Sequence, residues 1–108
     1  MEKTIELLYN VVMGRKQNAT EGSYTAYLFE QGLDKILKKV GEESSEVIIA
    51  AKNGDNGSTV YEISDLIYHL IVLMAEIGIS PDEIKAELSE RAKKQGNLKV
   101  IKVIDHNS

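Results

Sequence analysis

Apolar residues recur every three or four positions along most of this chain, whereas the alternation typical of strands is nearly absent before residue 97. This spacing predicts five helices, over about residues 4–16, 23–29, 33–53, 59–77 and 81–95. Glycine follows four of these segments, at Gly32, Gly54, Gly78 and Gly96, and predicts where the helices end. We therefore expect an all-α fold, an antiparallel helical bundle of four to five helices.

Several helix ends carry their own signals. Ser23, Tyr24 and Thr25 are N-cap candidates for the second helix. Residues 80–83 (SPDE) combine a serine cap, a proline at the first helical position and a glutamate at the third, which predicts a helix start. Residues 55–58 (DNGS) are typical of a turn.

The C-terminal tail does not fit this helical pattern. Residues 97–108 interleave apolar residues with lysines, and a short strand, an arm packed on a partner subunit and a frayed end all fit. We expect one all-α domain over residues 1–96 and a tail over residues 97–108 whose structure the pattern leaves open.

The third predicted helix carries a carboxylate inside its apolar stripe. On a helical wheel Glu43 falls on the line of Ile36, Val40 and Val47, and Glu46 lies about 60° round, one turn on. A buried carboxylate is costly unless a cation or a hydrogen-bond donor meets it. This helix therefore needs a partner for Glu43.

The helix predicted over residues 59–77 offers that partner. Glu62, Asp65, His69 and Glu76 lie within about 60° of one another along one edge of its apolar face. If the two helices pack, four carboxylates meet at the seam, and such a cluster cannot stay ionised without a cation. Oxygen ligands without cysteine favour Mg²⁺ or Mn²⁺ over zinc, and Mg²⁺ commonly binds substrate phosphates. The pattern is compatible with such a metal site at Glu43, Glu46, Glu62 and Asp65, and the chemistry that it would support is hydrolysis of a phosphoanhydride.

Each acidic or basic residue also has an interpretation without a metal. Glu62 completes a capping box with Thr59, and Glu42 fits a solvated helix face. His69 fits a hydrogen-bonded core histidine.

The basic residues are weighed in the same way. Lys39 is placed to reach an anion bound at the carboxylates, whereas Arg15 and Lys16 can simply complement the dipole of the first helix. Gly41, inside the third helix, costs roughly 1 kcal/mol relative to alanine. Its presence predicts that a backbone or a ligand approaches closely there.

The composition and charge of the chain limit which functions and cellular locations are expected. The chain has 108 residues, no cysteine and a formal charge of −4, which suits a reducing cytoplasm and argues against binding nucleic acid through its phosphates. The N-terminus lacks a signal peptide, and the apolar run at residues 66–75 is too short to span a bilayer. That run is apolar nearly all round, so it must be covered on several sides, which predicts a homodimer.

Three stretches together resemble the phosphoribosyl-ATP pyrophosphatase family, within the all-α, MazG-like superfamily of nucleotide pyrophosphatases. They are residues 23–25 (SYT), residues 39–43 (KVGEE) with Glu46, and Glu62 with residues 65–70 (DLIYHL). The resemblance implies Mg²⁺-dependent hydrolysis of phosphoribosyl-ATP to phosphoribosyl-AMP and pyrophosphate, the second step of histidine biosynthesis, by a helical dimer.

The resemblance also implies roles for individual residues. Those implied for metal binding are Glu43, Glu46, Glu62 and Asp65. Those implied for catalysis are Glu42, as a further ligand or the base that activates water, Glu43 and Lys39. Those implied for substrate binding are Arg15, Ser23, Tyr24, Thr25, Lys39, Tyr68 and His69. The chain lacks the length and cysteines of the fused cyclohydrolase domain of some relatives, so a stand-alone enzyme is expected.

Two alternatives stay open from the sequence. One is a MazG-like pyrophosphatase acting on (deoxy)nucleoside triphosphates, and the other is a non-catalytic helical dimerisation module whose acidic residues are solvated or cap helices.

Overall fold

The computed structural model describes the backbone of residues 2–104 and the side chains of residues 3–95. That part of the chain folds into five α-helices and no strand: α1 (Glu2–Gln17), α2 (Tyr24–Gln31), α3 (Leu33–Lys52), α4 (Asn56–Ile77) and α5 (Pro81–Ile104). The expectation of an all-α fold is confirmed.

The packing of α3 against α4 forms the centre of the fold. Ile36 shares a core cluster with Val72, and Glu43 lies beside Asp65. Farther along, Ala50 lines a cavity with Ser58. Each step forward on α3 therefore matches a step backward on α4, so the two helices are antiparallel.

One apolar core draws on four of the helices. It consists of Val12 from α1, Leu28 from α2, Ile36 from α3, and Ile71, Val72 and Ala75 from α4. Helix α5 packs beside it, and α4 and residues 81–95 meet at a bend of 117°. The core occupies the C-terminal half of α4 and leaves the N-terminal half free for other contacts.

The start of α4 differs from the prediction. Residues 55–58 were expected to form a turn before a helix beginning at Thr59. Instead Asp55 is the N-cap, its side chain accepts a hydrogen bond from the Ser58 backbone N–H, and the Thr59 hydroxyl donates to the Asp55 carbonyl. Aspartate is among the strongest N-caps, so Asn56, Gly57 and Ser58 form the first turn. The interpretation that Thr59 and Glu62 form a capping box is therefore wrong, because Asp55 caps the helix.

Of the two predicted ends of α5, the start is confirmed and the end is wrong. The predicted start is confirmed, because the Ser80 N–H donates to the Glu83 carboxylate at 2.9 Å and the Glu83 N–H donates to the Ser80 hydroxyl at 3.4 Å. The predicted end at Gln95 and Gly96 is wrong, since the helix runs to Ile104. A glycine ends a helix reliably only where it adopts the left-handed conformation, as Gly78 does at φ 82°. Residues 105–108 of the tail lie outside the described residues.

Lys16 does not simply complement the dipole of its own helix. Its ammonium donates to the carbonyl oxygens of Ala75 at 2.9 Å and Glu76 at 3.4 Å, at the C-terminus of α4. The positive charge therefore meets the negative end of a different helix and ties α1 to α4.

Several large apolar side chains are exposed on the helices. On α4 and α5 they include Val60, Ile63, Leu70, Ile77, Ile84 and Leu88. A groove of about 410 Å³ runs between Ile67, Leu70 and Met74 on one side and Ile84 and Leu88 on the other. Within the described residues no single helix has the length and apolarity to cross a membrane; only α4 together with residues 81–95, bent at their junction, meets those criteria.

Candidate functional site

Six charged side chains line one cavity of about 390 Å³ on the seam between α3 and α4. They are Lys39, Glu42, Glu43, Glu46, Glu62 and Asp65. The spacing of the acidic pairs on each helix and the antiparallel packing bring them together. One ammonium against five carboxylates leaves a strong excess of negative charge in the cavity.

Glu43 is the buried member of this group, with 7% of its surface exposed. Burial raises the pKa of its carboxyl, and the neighbouring Asp65 carboxyl raises that pKa further, whereas Lys39 opposes the shift. A carboxylate in such a place favours the approach of a cation. The sequence-based expectation that Glu43 leaves the surface is confirmed.

Lys39 is the cation that faces these carboxylates. Its Nζ lies 3.3 Å from Glu42 Oε1 and 3.6 Å from Glu43 Oε1. Burial by itself would lower the pKa of the Lys39 ammonium, but the hydrogen bond to Glu42 and the charges nearby outweigh burial and raise it. Lys39 therefore stays charged beside the cavity, where an anion can reach it.

His69 lies behind Asp65 and is buried, with 2% of its surface exposed. Its Nδ1 lies 2.8 Å from the backbone oxygen of Asp65 and 3.4 Å from Asp65 Oδ1. Its Nε2 lies 2.9 Å from the hydroxyl oxygen of Tyr24. Both ring nitrogens thus have protein partners, as a hydrogen-bonded core histidine should.

The donor atoms of Glu43, Asp65 and His69 lie within 4.8 Å of one another. Such spacing is compatible with one shared cation. Because both nitrogens of His69 are already hydrogen-bonded, the carboxylates of Glu43 and Asp65, with Glu46 and Glu62 in the same cavity, are the better candidates for ligands. Oxygen donors of this kind fit Mg²⁺ or Mn²⁺, so the residues present suit the expected metal.

Helix α2 contributes a second polar layer. Ser23 is its N-cap, and its side chain accepts a hydrogen bond from the Ala26 N–H at 3.1 Å. Thr25 is buried, and its hydroxyl forms a hydrogen bond with the Tyr68 hydroxyl of α4. With Tyr24 bonded to His69, two neighbouring side chains of α2 hold α4 just behind the carboxylates.

Other residues singled out from the sequence lie elsewhere. The Arg15 guanidinium donates to the Thr20 hydroxyl at 2.8 Å and lines a separate cavity of about 380 Å³ together with Lys16 and Glu76. Glu76, placed by the helical wheel on the acidic edge of α4, is therefore far along the helix from the carboxylate cavity. A side chain built at Gly41 would meet no atom within 4 Å among the described residues, so no backbone of that part of the chain packs against it.

Tyr27 was not singled out from the sequence. Its ring stacks with that of Tyr24 at a centroid distance of 6.4 Å, and Lys35 Nζ lies 5.9 Å from its centroid. Both tyrosines line a cavity of about 450 Å³ with residues 19–23. Their spacing, three residues apart on one helix, was the signal that could have indicated the pair.

The fold and the cavity define a class of protein, an all-α bundle with a carboxylate-lined cavity between two antiparallel helices. The sequence profile of the family described as phosphoribosyl-ATP pyrophosphohydrolase matches residues 5–92. The chain therefore belongs to this family.

Individual relatives agree with this assignment. A phosphoribosyl-ATP pyrophosphatase from Clostridium novyi (strain NT) is 57% identical over 95 residues, which cover 88% of this chain and 86% of that protein. One of the same name from Pelotomaculum thermopropionicum is 57% identical over 88 residues, which cover 82% of this chain and 90% of that protein. The histidine biosynthesis bifunctional protein HisIE of Thermoanaerobacter pseudethanolicus is 62% identical over 85 residues, which cover 79% of this chain and 39% of that longer protein.

Proposed function

We propose that this protein hydrolyses phosphoribosyl-ATP to phosphoribosyl-AMP and pyrophosphate, the second step of L-histidine biosynthesis. Family membership gives the reaction. The location of the active site is proposed from the cavity between α3 and α4, which is lined by five carboxylates and one lysine. The relatives are named as enzymes, so the non-catalytic dimerisation module has no support.

The cavity is proposed to bind Mg²⁺, with Mn²⁺ as a substitute, through Glu43, Glu46, Glu62 and Asp65. When bound, the cation supplies positive charge to the phosphate oxygens of the anhydride. The protein's own part is to hold the ligands in place. Glu43 is the residue least able to stay ionised without a cation, because it is buried beside Asp65.

Two residues at the mouth of the cavity are proposed to act on the substrate directly. Glu42 is exposed and carries its carboxylate beside the cavity, so it is placed to take a proton from an attacking water. Lys39 lies within 4 Å of Glu42 and Glu43 and is proposed to bind a phosphate oxygen. The residues proposed for proton removal and for phosphate binding, Glu42 and Lys39, therefore lie on the same helix, α3.

The nucleoside end of the substrate is proposed to bind over α2. The 450 Å³ cavity of Tyr24 and Tyr27 falls within the size range of small-molecule pockets. Tyr24 connects the two cavities because its hydroxyl contacts His69, which adjoins Asp65. Ser23, Thr25 and Tyr68 are proposed to shape this region, and Arg15 to face phosphate from the neighbouring cavity.

Pyrophosphate release from phosphoribosyl-ATP, compared with a panel of ribonucleoside and deoxynucleoside triphosphates, tests the substrate. We expect kcat/KM to be highest for phosphoribosyl-ATP. A preference for an ordinary triphosphate would instead favour the MazG-like alternative.

Titration of Mn²⁺ into the metal-free protein tests the metal separately from the substrate. We expect saturable binding that Asp65→Asn weakens strongly, because that change removes a charged ligand while keeping the side-chain shape. Equal binding by the wild type and Asp65→Asn would contradict the proposed ligand set.

A homodimer is proposed from the apolar surface of α4 and α5. Leu70, Ile84 and Leu88 are all at least 38% exposed and line one apolar groove, and contiguous apolar surface of this kind is typical of subunit interfaces. Sedimentation equilibrium tests it, and a monomer at micromolar concentration would contradict it. A cytoplasmic location and function without nucleic acid or membrane stay predictions.

A further inference from the structure

Hydrogen bonds connect α2 through His69 to the backbone of Asp65, whose carboxylate lines the cavity. The Tyr24 hydroxyl contacts His69 Nε2 at 2.9 Å, and His69 Nδ1 contacts the Asp65 backbone oxygen at 2.8 Å, with Asp65 Oδ1 at 3.4 Å. The ring also meets Tyr24 and Tyr68 edge-on, with centroids 5.7 Å and 6.0 Å away. The imidazole is therefore held by two ring contacts and by a partner at each nitrogen.

The identity of these partners decides where the ring proton sits. A backbone carbonyl can only accept a hydrogen bond, so Nδ1 must carry the proton that lies between it and Asp65. In the neutral ring Nε2 is then the acceptor, and the Tyr24 hydroxyl donates to it. The Tyr24 proton is thus engaged inside the protein and is not available to a phosphate oxygen.

We propose that His69 is a positioning residue: its ring, oriented by Tyr24, packs against the Asp65 carboxylate, with Nδ1 3.4 Å from Oδ1, and so holds that side chain towards Glu43. Histidine here is not a metal ligand. Partners behind a ligand commonly fix its orientation, and changing them commonly lowers metal affinity by about 10–100-fold. The proposal rests on the proposed function, since it assumes that Asp65 binds a cation.

The consequence is a link between the two cavities. A substrate that contacts the Tyr24 ring over α2 would lie one hydrogen bond from His69 and two from Asp65. The Thr25–Tyr68 hydrogen bond runs parallel to this chain, but no described hydrogen bond or ion pair links either of its residues to a carboxylate of the cavity. This parallel pair provides a matched control.

The first test is whether Nδ1 of His69 carries a proton in the metal-free protein, measured by nitrogen NMR. His106 is the only other histidine in the sequence, and His106→Gln leaves a single set of ring signals. We expect a protonated Nδ1 and an unprotonated Nε2. An unprotonated Nδ1 would overturn the proposal.

The second test is Mn²⁺ affinity without substrate. His69→Leu is expected to weaken Mn²⁺ binding by about 10–100-fold, and Tyr24→Phe by roughly tenfold. His69→Asn is expected to recover part of the loss, because its amide N–H can replace Nδ1–H towards Asp65. Tyr68→Phe removes a hydroxyl from the adjacent position and is expected to keep Mn²⁺ affinity within about twofold, since its partner is Thr25.

The outcomes separate this proposal from the proposed function. If wild-type protein binds Mn²⁺ and hydrolyses phosphoribosyl-ATP while His69→Leu binds Mn²⁺ equally well, positioning by His69 is wrong and the function stands. Equal losses in Tyr24→Phe and Tyr68→Phe would show that α2 only stabilises α4, and would also overturn it. Should His69→Leu fail to fold by circular dichroism, Tyr24→Phe and the NMR measurement on the folded protein decide.

Discussion

The two halves of α4 belong to one continuous helix but differ in their surroundings, since the C-terminal half is largely buried and the N-terminal half carries partly exposed carboxylates. The C-terminal half places Ile71, Val72 and Ala75 in the apolar core, each at most 2% exposed. The N-terminal half faces α3 with Glu62 and Asp65, and the buried His69 lies one turn beyond Asp65, between this half and the core. One half is stabilised by removing apolar surface from water, while the other holds charge where charge is costly.

This difference shows how the protein separates stability from chemistry. The core half brings α1, α2 and α3 onto α4, and so fixes the helix that carries the carboxylates. The polar half cannot contribute similarly, because its carboxylates repel one another and those of α3. Substitutions in the polar half should therefore mainly lower activity, whereas substitutions in the core half should mainly lower stability.

The largest effect is expected at the polar half, from Glu43→Gln. Removing this proposed ligand should lower kcat/KM for phosphoribosyl-ATP by on the order of 10³-fold, equivalent to about 4 kcal/mol, since a bound metal would contribute several kcal/mol to the transition state. The fold should persist. Because burial raises the pKa of the Glu43 carboxyl, its ionised form destabilises the metal-free protein at neutral pH, and neutral glutamine does not.

Steady-state kinetics with urea denaturation of the same preparation measures both quantities. Glu87→Gln is the matched control, because it removes a similar carboxylate from an exposed site on α5, paired there with Arg91. It should leave kcat/KM unchanged. Unfolding of Glu43→Gln would show that Glu43 has a structural role and would remove the contrast between the two halves.

The core half should respond in the reverse way to Ile71→Ala. The side chain is 2% exposed, and its truncation should lower the free energy of unfolding by about 2–5 kcal/mol through lost burial and the cavity left behind. Activity per folded molecule should fall far less than in Glu43→Gln. Urea denaturation followed by circular dichroism gives the first value, and an assay well below the unfolding midpoint gives the second.

Ile77→Ala provides the comparison on the same helix, since Ile77 is 50% exposed. Its destabilisation should be clearly smaller than that of Ile71→Ala. Equal losses at the two positions would mean that the described core does not account for the stability of this half.

How much of this contrast the sequence could predict depends on the range of the interactions. The wheel position of Glu43 predicted its burial, and the acidic pairs predicted a cluster, because helical periodicity fixes which residues share a face. The hydrogen bond between Tyr24 and His69 could not be derived from periodicity, because these residues are 45 positions apart and meet only after the helices pack.

Local sequence signals predicted one helix start and one helix end incorrectly, in each case where two residues of the sequence fit the same role. Both Asp55 and Thr59 can cap a helix, and the structure selects Asp55, which starts α4 one turn earlier than predicted. Gly78 and Gly96 look alike in sequence, yet only Gly78 is followed by a change of direction. Such choices depend on backbone conformation, which composition alone does not fix.

A smaller effect is expected at the boundary of the polar half, from Lys39→Gln. Loss of a charged partner for phosphate should lower kcat/KM by about tenfold. Mn²⁺ affinity should not fall, because removing a positive charge 3.6 Å from Glu43 cannot weaken the attraction of a cation. Kinetics and Mn²⁺ titration on the same variant separate substrate binding from metal binding.

Lys38→Gln is the control for this variant, because Lys38 lies on the exposed face of the same helix. It should match the wild type in both assays. If Lys39→Gln lowers Mn²⁺ affinity as well, Lys39 organises the carboxylates and does not bind phosphate.

The smallest effect concerns the N-cap of α4, where the polar half begins. The pKa of Asp55 lies below its ordinary value of 3.8, chiefly because the Ser58 backbone N–H donates to its carboxylate, and the Ser58 hydroxyl adds a second bond. A depressed pKa in the folded state means that the carboxylate adds stability above pH 3.8 and loses it as the pH falls through the folded-state value. Asp55→Asn keeps a capping oxygen but does not titrate, so it should be slightly less stable than wild type at neutral pH, and the difference should vanish in acid. Urea denaturation across that range measures the difference, and a gap that widens on acidification would contradict the assignment of Asp55 as the cap that starts the helix.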